Sequence, residues 1–122
     1  MAENTKTPLI ETVDLCKKFK LRGGALLHAV DGVNLKIDQG KTLGVVGESG
    51  CGKSTLGRTI LQLIAPTGGD VLFEGKSITR LGRRQMRTMR QDLQIIFQDP
   101  YASVDPRKSV IEIIAEYMII HK

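Results

Sequence analysis

Aromatic residues and cysteines are scarce in this 122-residue chain, which has no tryptophan, two tyrosines, three phenylalanines and two cysteines. The cysteines, Cys16 and Cys51, are far apart and form no C-x-x-C pair, so the spacing of a structural metal site is missing. Reduced thiols in a cytosolic protein are the simpler interpretation. The shortage of aromatic rings also argues against a surface that stacks nucleic-acid bases.

Long apolar segments are missing as well. The longest, VIEIIAEYMII at residues 110–120, is interrupted by Glu112 and Glu116 and is far shorter than the roughly 20 residues of a membrane-spanning helix. The first 15 residues contain neither a basic leader nor the apolar core of a secretory signal. We therefore expect a chain that does not cross a membrane by itself.

The composition that remains is that of a globular protein with a basic surface. Hydrophobic residues make up 41% of the chain and charged residues 25%, with a net charge of +5. This length suits one compact domain or a piece of one. An excess of positive charge favours anionic partners, such as nucleotide phosphates, nucleic acid or an anionic membrane surface, without choosing among them.

Hydrophobic periodicity and turn residues predict an alternating order of strands and helices. Strands are expected at 9–15, 29–37, 42–47 and 93–97, and a strand followed by a turn at 70–78. A helix of about three turns is expected from Lys53 to Ile64, a basic helix at 80–92, and a helix at 110–120 that Ser109 caps after the loop 98–109.

The segment GESGCGKST, residues 47–55, satisfies the pattern G-x-x-x-x-G-K-[ST]. Glycines allow the backbone N–H groups to turn inward around phosphate oxygens, and the following helix directs the positive end of its dipole to the same place. Lys53 adds a mobile charge for the β and γ phosphates, and the Ser54 hydroxyl can bind Mg²⁺. The residues assigned to nucleotide binding are Gly47, Glu48, Ser49, Gly50, Cys51, Gly52, Lys53, Ser54 and Thr55.

Three longer segments resemble the ATP-binding subunit of ABC transporters, within the oligopeptide and dipeptide uptake branch. They are AVDGVNLKIDQGKTLGVVGESGCGKSTLGRTILQL, GGDVLFEGKSI and LQIIFQDPYASVDPR, and the resemblance extends over nearly the whole chain from Leu9. It implies an α/β fold: the P-loop NTPase core of an ABC nucleotide-binding domain with an N-terminal antiparallel β region. Residues 1–122 would be the N-terminal part of one such domain, truncated before the helical signature region is complete.

The same resemblance implies roles for two residues outside the glycine loop. Phe19 would stack on adenine, and Gln98 would approach Mg²⁺ and the water at the γ-phosphate. Lys53 and Gln98 are then the catalytic residues, Ser54 and Gln98 the metal ligands, and ATP and Mg²⁺ the cofactors.

The partners implied are transmembrane permease subunits and a second ATP-binding subunit, with no nucleic acid. The location implied is the cytoplasmic side of the inner membrane, reached only through those partners. An S-G-G signature and an Asp-Glu pair, which the family uses for ATP contact across the dimer and for water activation, do not occur in the 122 residues. We therefore expect ATP hydrolysis coupled to peptide uptake in the intact protein, and weak nucleotide binding with negligible hydrolysis in this chain alone.

Two alternatives remain open at this point. In a free-standing phosphotransferase, such as a small-molecule kinase, Asp99 would follow an apolar strand as the Mg²⁺-binding aspartate. In a nucleic-acid-binding module, the basic segment would supply phosphate contacts; its arginines are Arg80, Arg83, Arg84, Arg87 and Arg90.

Overall fold

The computed structural model describes residues 7–50, 52–99 and 101–121. The chain divides into two compact units, Met1–Gly82 and Arg83–Lys122. In chain order the elements are strand β1 (Ile10–Lys20), a 3-10 turn (Arg22–Gly24), strand β2 (Leu26–Ile37), helix α1 (Lys53–Ile60), strand β3 (Gly68–Phe73), strand β4 (Lys76–Ser77), helix α2 (Arg83–Met89) and helix α3 (Val110–Ile120).

The four strands found in the described residues form one antiparallel sheet in the order β2-β1-β3-β4. The strands predicted at 9–15 and 29–37 are confirmed, and both are longer than predicted. They continue to the turn that joins them, which is closed by a hydrogen bond of 2.8 Å from the Leu21 N–H to the Ala25 carbonyl oxygen. The N-terminal antiparallel region expected from the sequence is therefore present.

A bulge in β1 decides which of its side chains are buried. Thr12 and Leu15 are both buried although three positions separate them, because Asp14 adopts a φ of +46° and the register with β2 shifts there. The side chain of Asn34 holds the bulge, accepting from the Asp14 N–H at 2.9 Å and donating to Asp14 Oδ1 at 3.0 Å. Leu15 therefore enters the core in place of Asp14.

The core of the first unit lies on one side of this sheet. Its fully buried members include one polar side chain on β1, Thr12, and one on α1, Thr59. The Thr12 hydroxyl donates to the Val33 carbonyl oxygen at 2.9 Å and accepts from the Leu35 N–H at 3.0 Å, so its burial leaves no polar atom unpaired. The buried apolar residues here are Ile10, Leu15, Val30, Val71 and Ile78.

Helix α1 ends one turn earlier than the apolar pattern predicted. Gln62 adopts a φ of +59°, and its N–H donates to the Thr59 carbonyl oxygen, while the Leu63 N–H donates to the Arg58 carbonyl oxygen at 2.9 Å. These are the two hydrogen bonds of a Schellman motif. They satisfy the last carbonyl groups of the helix and turn the chain away at Leu61, so Leu63 and Ile64 lie outside the helix.

The strands predicted at 42–47 and 93–97 are not formed. Among the residues that the structure describes, neither segment is paired with another strand, and the side chains of Val46 and Ile96 are 94% and 99% exposed. An interior parallel strand depends on neighbours at both edges and on cover over both faces. Both strand predictions are therefore wrong, because the apolar composition of these segments does not provide the neighbouring strands that an interior strand needs.

The second unit consists of α2, α3 and the connection between them. The basic helix predicted at 80–92 is confirmed only over α2, whereas α3 has the predicted bounds and the predicted cap. Ser109 and Glu112 form a complete capping box, with the Ser109 N–H donating to Glu112 Oε2 at 2.7 Å. The guanidinium of Arg87 donates to the Ile120 carbonyl oxygen at 2.7 Å and thereby ties α2 to the end of α3.

None of the helices in the described ranges is long and apolar enough to cross a membrane.

A carboxylate on β3 organises the hairpin formed by β3 and β4. Oδ1 of Asp70 accepts hydrogen bonds from the Ser77 hydroxyl at 2.6 Å, the Thr79 hydroxyl at 2.5 Å and the Val71 N–H at 2.9 Å. Burial acts to raise the pKa of Asp70, but these three donors and the nearby charge of Arg80 together hold the pKa below its ordinary value of 3.8.

We predict that replacing both hydroxyl donors, Ser77→Ala with Thr79→Val, raises the pKa of Asp70 toward 3.8. Because the folded-state pKa is lowered, the stabilisation from Asp70 is complete above the unfolded-state pKa and is lost as the pH falls through the folded-state pKa. The wild-type chain should therefore lose more unfolding free energy on acidification below about pH 5 than the double variant.

An NMR titration of the Asp70 carboxyl carbon measures the pKa directly, and urea unfolding at several pH values measures the stability. Asp70→Asn is the control, since it removes the titrating group without removing its volume. Identical Asp70 titrations in the wild type and the double variant would contradict the prediction.

Candidate functional site

The glycine loop leads directly into the first turn of α1. Gly50 and Gly52 adopt φ values of +81° and +99°, a region that side chains with a Cβ rarely enter. Gly52 is the residue that precedes the helix, and its carbonyl oxygen accepts the first helical hydrogen bond from the Leu56 N–H at 2.8 Å. The glycine loop is therefore followed directly by a helix, as the motif predicted.

Gly52 lies against β2 at a bulge of that strand. Lys17 of β1 pairs with Val30 of β2, and Lys18 pairs with His28. Ala29 is therefore the extra, unpaired residue of a bulge in β2. A Cβ added to Gly52 would lie 2.3 Å from the Ala29 carbonyl oxygen. Only glycine allows the loop to approach β2 this closely.

The side chain of Lys53 lies within the glycine loop. Its ammonium donates to the Gly47 carbonyl oxygen and, at 2.9 Å, to the Glu48 carbonyl oxygen. Since Lys53 is also the first residue of α1, its positive charge lies near the positive end of the helix dipole. The two sources of positive potential coincide, which is the arrangement that attracts an anion.

A cavity of about 370 Å³ is lined by residues of β2, by Val45 and Val46 before the glycine loop, and by residues at the start of α1. This volume lies within the range of small-molecule binding sites. Its wall combines apolar side chains with the polar and charged groups of His28, Asp31 and Lys53. The lining residues are His28, Ala29, Val30, Asp31, Val33, Val45, Val46, Gly52, Lys53 and Leu56.

Sequence reasoning did not identify His28 and Asp31 as lining residues. The motif covers only 47–55, whereas these two residues reach the cavity through the bulged register of β2 with β1. A register of this kind depends on pairing between distant segments, and the local pattern around His28 carries no sign of it. The contribution of His28 and Asp31 to the cavity wall is therefore decided by the tertiary structure.

Most of the other residues predicted to bind the nucleotide are exposed to solvent. Glu48, Ser49 and Ser54 are exposed and Thr55 is half-buried, so the Ser54 hydroxyl in the first turn of α1 is accessible from solvent. Cys51 lies outside the described residues.

Phe19 lies on β1, half-buried, and pairs with Leu27 of β2. Leu27 immediately precedes His28, which lines the cavity. Phe19 is therefore one pair along the ladder from a cavity-lining residue, but neither Phe19 nor Leu27 is among the described residues that line the cavity. The ammonium of Lys17 lies 5.1 Å from the centroid of the Phe19 ring.

Gln98 and Asp99 belong to the second unit, in the connection that precedes α3. Gln98 is exposed. Oδ1 of Asp99 accepts from the N–H groups of Tyr101 and Ala102 at 2.9 and 3.3 Å, so its carboxylate stabilises the turn that follows. This structural use does not support the phosphotransferase hypothesis, in which Asp99 would bind Mg²⁺.

Comparison with protein families and curated sequences gives consistent matches. The sequence model described as ABC transporter matches residues 30–120. The oligopeptide transport ATP-binding protein AppF of Bacillus subtilis is 44% identical over 127 residues, covering 98% of this chain and 38% of that protein. The dipeptide transport ATP-binding protein DppF of Escherichia coli is 42% identical, covering 93% of this chain and 36% of that protein.

Solved structures give the same result. The dimeric structure of MJ0796, a bacterial ABC transporter cassette, has a TM-score of 0.80 and 27% identity over 93% of this chain and 48% of the cassette. The MJ0796 dimer in a post-hydrolysis state bound to ADP and Pi has a TM-score of 0.79, 26% identity and the same coverage.

The chain thus spans little more than a third of the curated relatives' length, 38% and 36% for the two named. Its similarities are to transport ATP-binding proteins, and neither the phosphotransferase nor the nucleic-acid alternative is supported by them.

We predict that Gly52→Ala displaces the glycine loop from β2, because the new Cβ would meet the Ala29 carbonyl oxygen and the φ of +99° would be strained. Such strain costs roughly 1–3 kcal/mol, so the free energy of unfolding should fall by about that amount. Gly57→Ala on the same helix is the control: nothing lies within 4 Å of its added Cβ, and alanine should stabilise the helix by roughly 0.5–1 kcal/mol.

Urea unfolding gives both free energies, and amide chemical shifts of Ala29 and Lys53 report the loop position. The assigned close approach would be wrong if the two alanine variants were equally stable.

Proposed function

The chain belongs to the ABC transporter family, and from this premise we propose that its glycine loop binds the phosphates of ATP as part of the ATP-binding subunit of a peptide importer. The observation that carries the proposal is the position of Lys53: its ammonium lies inside the loop, at the start of α1 and on the wall of the 370 Å³ cavity. This arrangement offers a bound phosphate chain a positive charge, a helix N-terminus and room beside β2.

The exchange of hydrogen bonds explains how such a loop takes up an anion. The Lys53 ammonium has carbonyl oxygens of the loop as acceptors, and phosphate oxygens with full negative charge are stronger acceptors. The left-handed conformations of Gly50 and Gly52 are those that turn backbone N–H groups toward a common centre. Binding then neutralises the phosphates with groups that are already held in place.

Mg²⁺ is the metal ion that we assign to the bound nucleotide. Ser54 contributes a hydroxyl oxygen in the first turn of α1, and we assign the side-chain oxygen of Gln98 as the second protein ligand. In the part of the chain that the structure describes, no group of three His, Cys, Asp or Glu residues could hold a metal ion. Few protein ligands and several phosphate and water oxygens are the usual surroundings of Mg²⁺ beside a nucleotide, and the metal supplies charge neutralisation there.

We assign Phe19 as the residue on which the adenine base stacks. Its ring is half-buried on β1, and its partner in the ladder, Leu27, adjoins the cavity-lining residue His28. A half-buried aromatic ring on the strand next to β2 offers a stacking surface for adenine. The oriented nucleotide would extend from Phe19 to Lys53 along the edge of β2.

Hydrolysis and transport belong to the whole protein in this proposal. Lys53 stabilises the negative charge that develops on the γ-phosphate, and Gln98 orients the attacking water. Relatives named as oligopeptide and dipeptide transport ATP-binding proteins support peptide uptake as the coupled process. A dimeric cassette as structural neighbour supports a second ATP-binding subunit, beside permease subunits, on the cytoplasmic side of the inner membrane.

We predict that Lys53→Met weakens the binding of MgATP by roughly tenfold to a hundredfold, because hydrogen bonds to a charged group contribute about 1.5–3 kcal/mol. The measurement is a titration with a fluorescent ATP analogue, repeated by calorimetry with ATP. Lys76→Met is the matched control, since it removes the same charge from an exposed position on β4.

Equal affinities of the Lys53→Met and Lys76→Met variants would contradict the assignment of the loop. Circular dichroism spectra of both variants establish that the fold is retained.

A further inference from the structure

The side chain of Lys17 makes two contacts, one with the ring proposed to stack on the base and one with the segment that follows α1. Its ammonium lies 5.1 Å from the centroid of the Phe19 ring, within the distance of a cation–π interaction. It also donates a hydrogen bond of 2.8 Å to the Ala65 carbonyl oxygen. Lys17 as a whole is half-buried, although its hydrogen bond to Ala65 is exposed to solvent.

The strand geometry explains the first contact. Residues two positions apart project from the same face of a strand, so Lys17 and Phe19 are neighbours on one face of β1. The bulge at this point lies in β2, at Ala29, and leaves the alternation of β1 intact. One face of the Phe19 ring is therefore covered by the ammonium.

The second contact belongs to a group of hydrogen bonds that attach the segment after α1 to β1. The Thr67 N–H donates to the Cys16 carbonyl oxygen at 2.8 Å, and the Lys18 N–H donates to the Thr67 hydroxyl at 2.9 Å. Together with the bond from Lys17 to Ala65, they join the exit of α1 to the strand that carries Phe19. The segment after the C-terminal end of α1 is thereby linked to the strand that carries the aromatic ring.

We propose that Lys17 is a positioning residue for base recognition: it covers one face of Phe19 and fixes the ring relative to α1, so that a purine base stacks on the opposite face. This inference rests on the proposed nucleotide-binding function. Lys17 then contributes to the part of the ATP affinity that comes from the base, and it contributes nothing to the part that comes from the phosphates.

The test compares ATP with inorganic tripolyphosphate, which has the phosphates and no base. Lys17→Met keeps the length of the side chain and removes the charge. We expect ATP affinity to fall by about twofold to fivefold, the size of a cation–π contribution at a partly exposed position, and tripolyphosphate affinity to stay unchanged. Lys17→Arg, which keeps a cation over the ring, should restore the ATP affinity.

Two further variants make the test specific. Lys18→Met removes the same charge from the neighbouring position on β1 and should leave both affinities unchanged. In a Phe19→Leu background, Lys17→Met should have no further effect on ATP affinity, because the ring it orients is gone. A ring-current shift of the Lys17 ε-methylene protons, present in the wild type and absent in Phe19→Leu, reports the contact without any nucleotide.

The outcomes separate the two levels of the proposal. Equal losses of ATP and tripolyphosphate affinity in Lys17→Met, or a loss that persists without Phe19, would overturn the role of Lys17 and leave the phosphate loop assignment standing. A wild-type chain that bound neither ligand would overturn the proposed function, and the role of Lys17 with it.

Discussion

The pairing of β1 on both of its edges is the constraint on which the first unit depends. Its hydrogen bonds to β2 and β3 hold the sheet together, and its bulge at Asp14 places Leu15, a completely buried side chain, in the core. The same bulge requires glycine on the neighbouring strand, since a Cβ at Gly69 would lie 2.2 Å from the Asp14 carbonyl oxygen. Register, core and backbone conformation are therefore set at one point.

The candidate site depends on this sheet through β2. The extra residue of its bulge, Ala29, meets Gly52 of the glycine loop, and the residues around it form one wall of the cavity. β1 has no residue among the described residues that line the cavity, and its part in the proposed site is the pair formed by Phe19 and Lys17. The glycine loop is an exposed segment without regular structure, and its contact with β2 gives it a fixed partner within the unit.

Much of the local structure was predictable because the interactions that form it lie within a few residues of chain. Ser109 caps α3 as predicted, with Glu112 completing a capping box, and the turn at Gly75 forms with φ values of +50° and +82° at Glu74 and Gly75. The buried strands expected at 42–47 and 93–97 are not formed, because a buried strand depends on partners that are distant in the chain. Their apolar composition indicates a need for neighbouring strands, and composition alone does not provide them.

The sequence by itself determined the glycine loop, the helix that follows it, the antiparallel hairpin of β1 and β2, and membership of the ABC transporter family, confirmed by the match over residues 30–120. Only the tertiary structure decided that His28 and Asp31 line the cavity beside the loop and that Lys17 bonds to the Ala65 carbonyl oxygen. Loop and cap motifs act through bonds between near neighbours in the chain. Cavity walls depend on strand register, where one inserted residue changes which side chains meet.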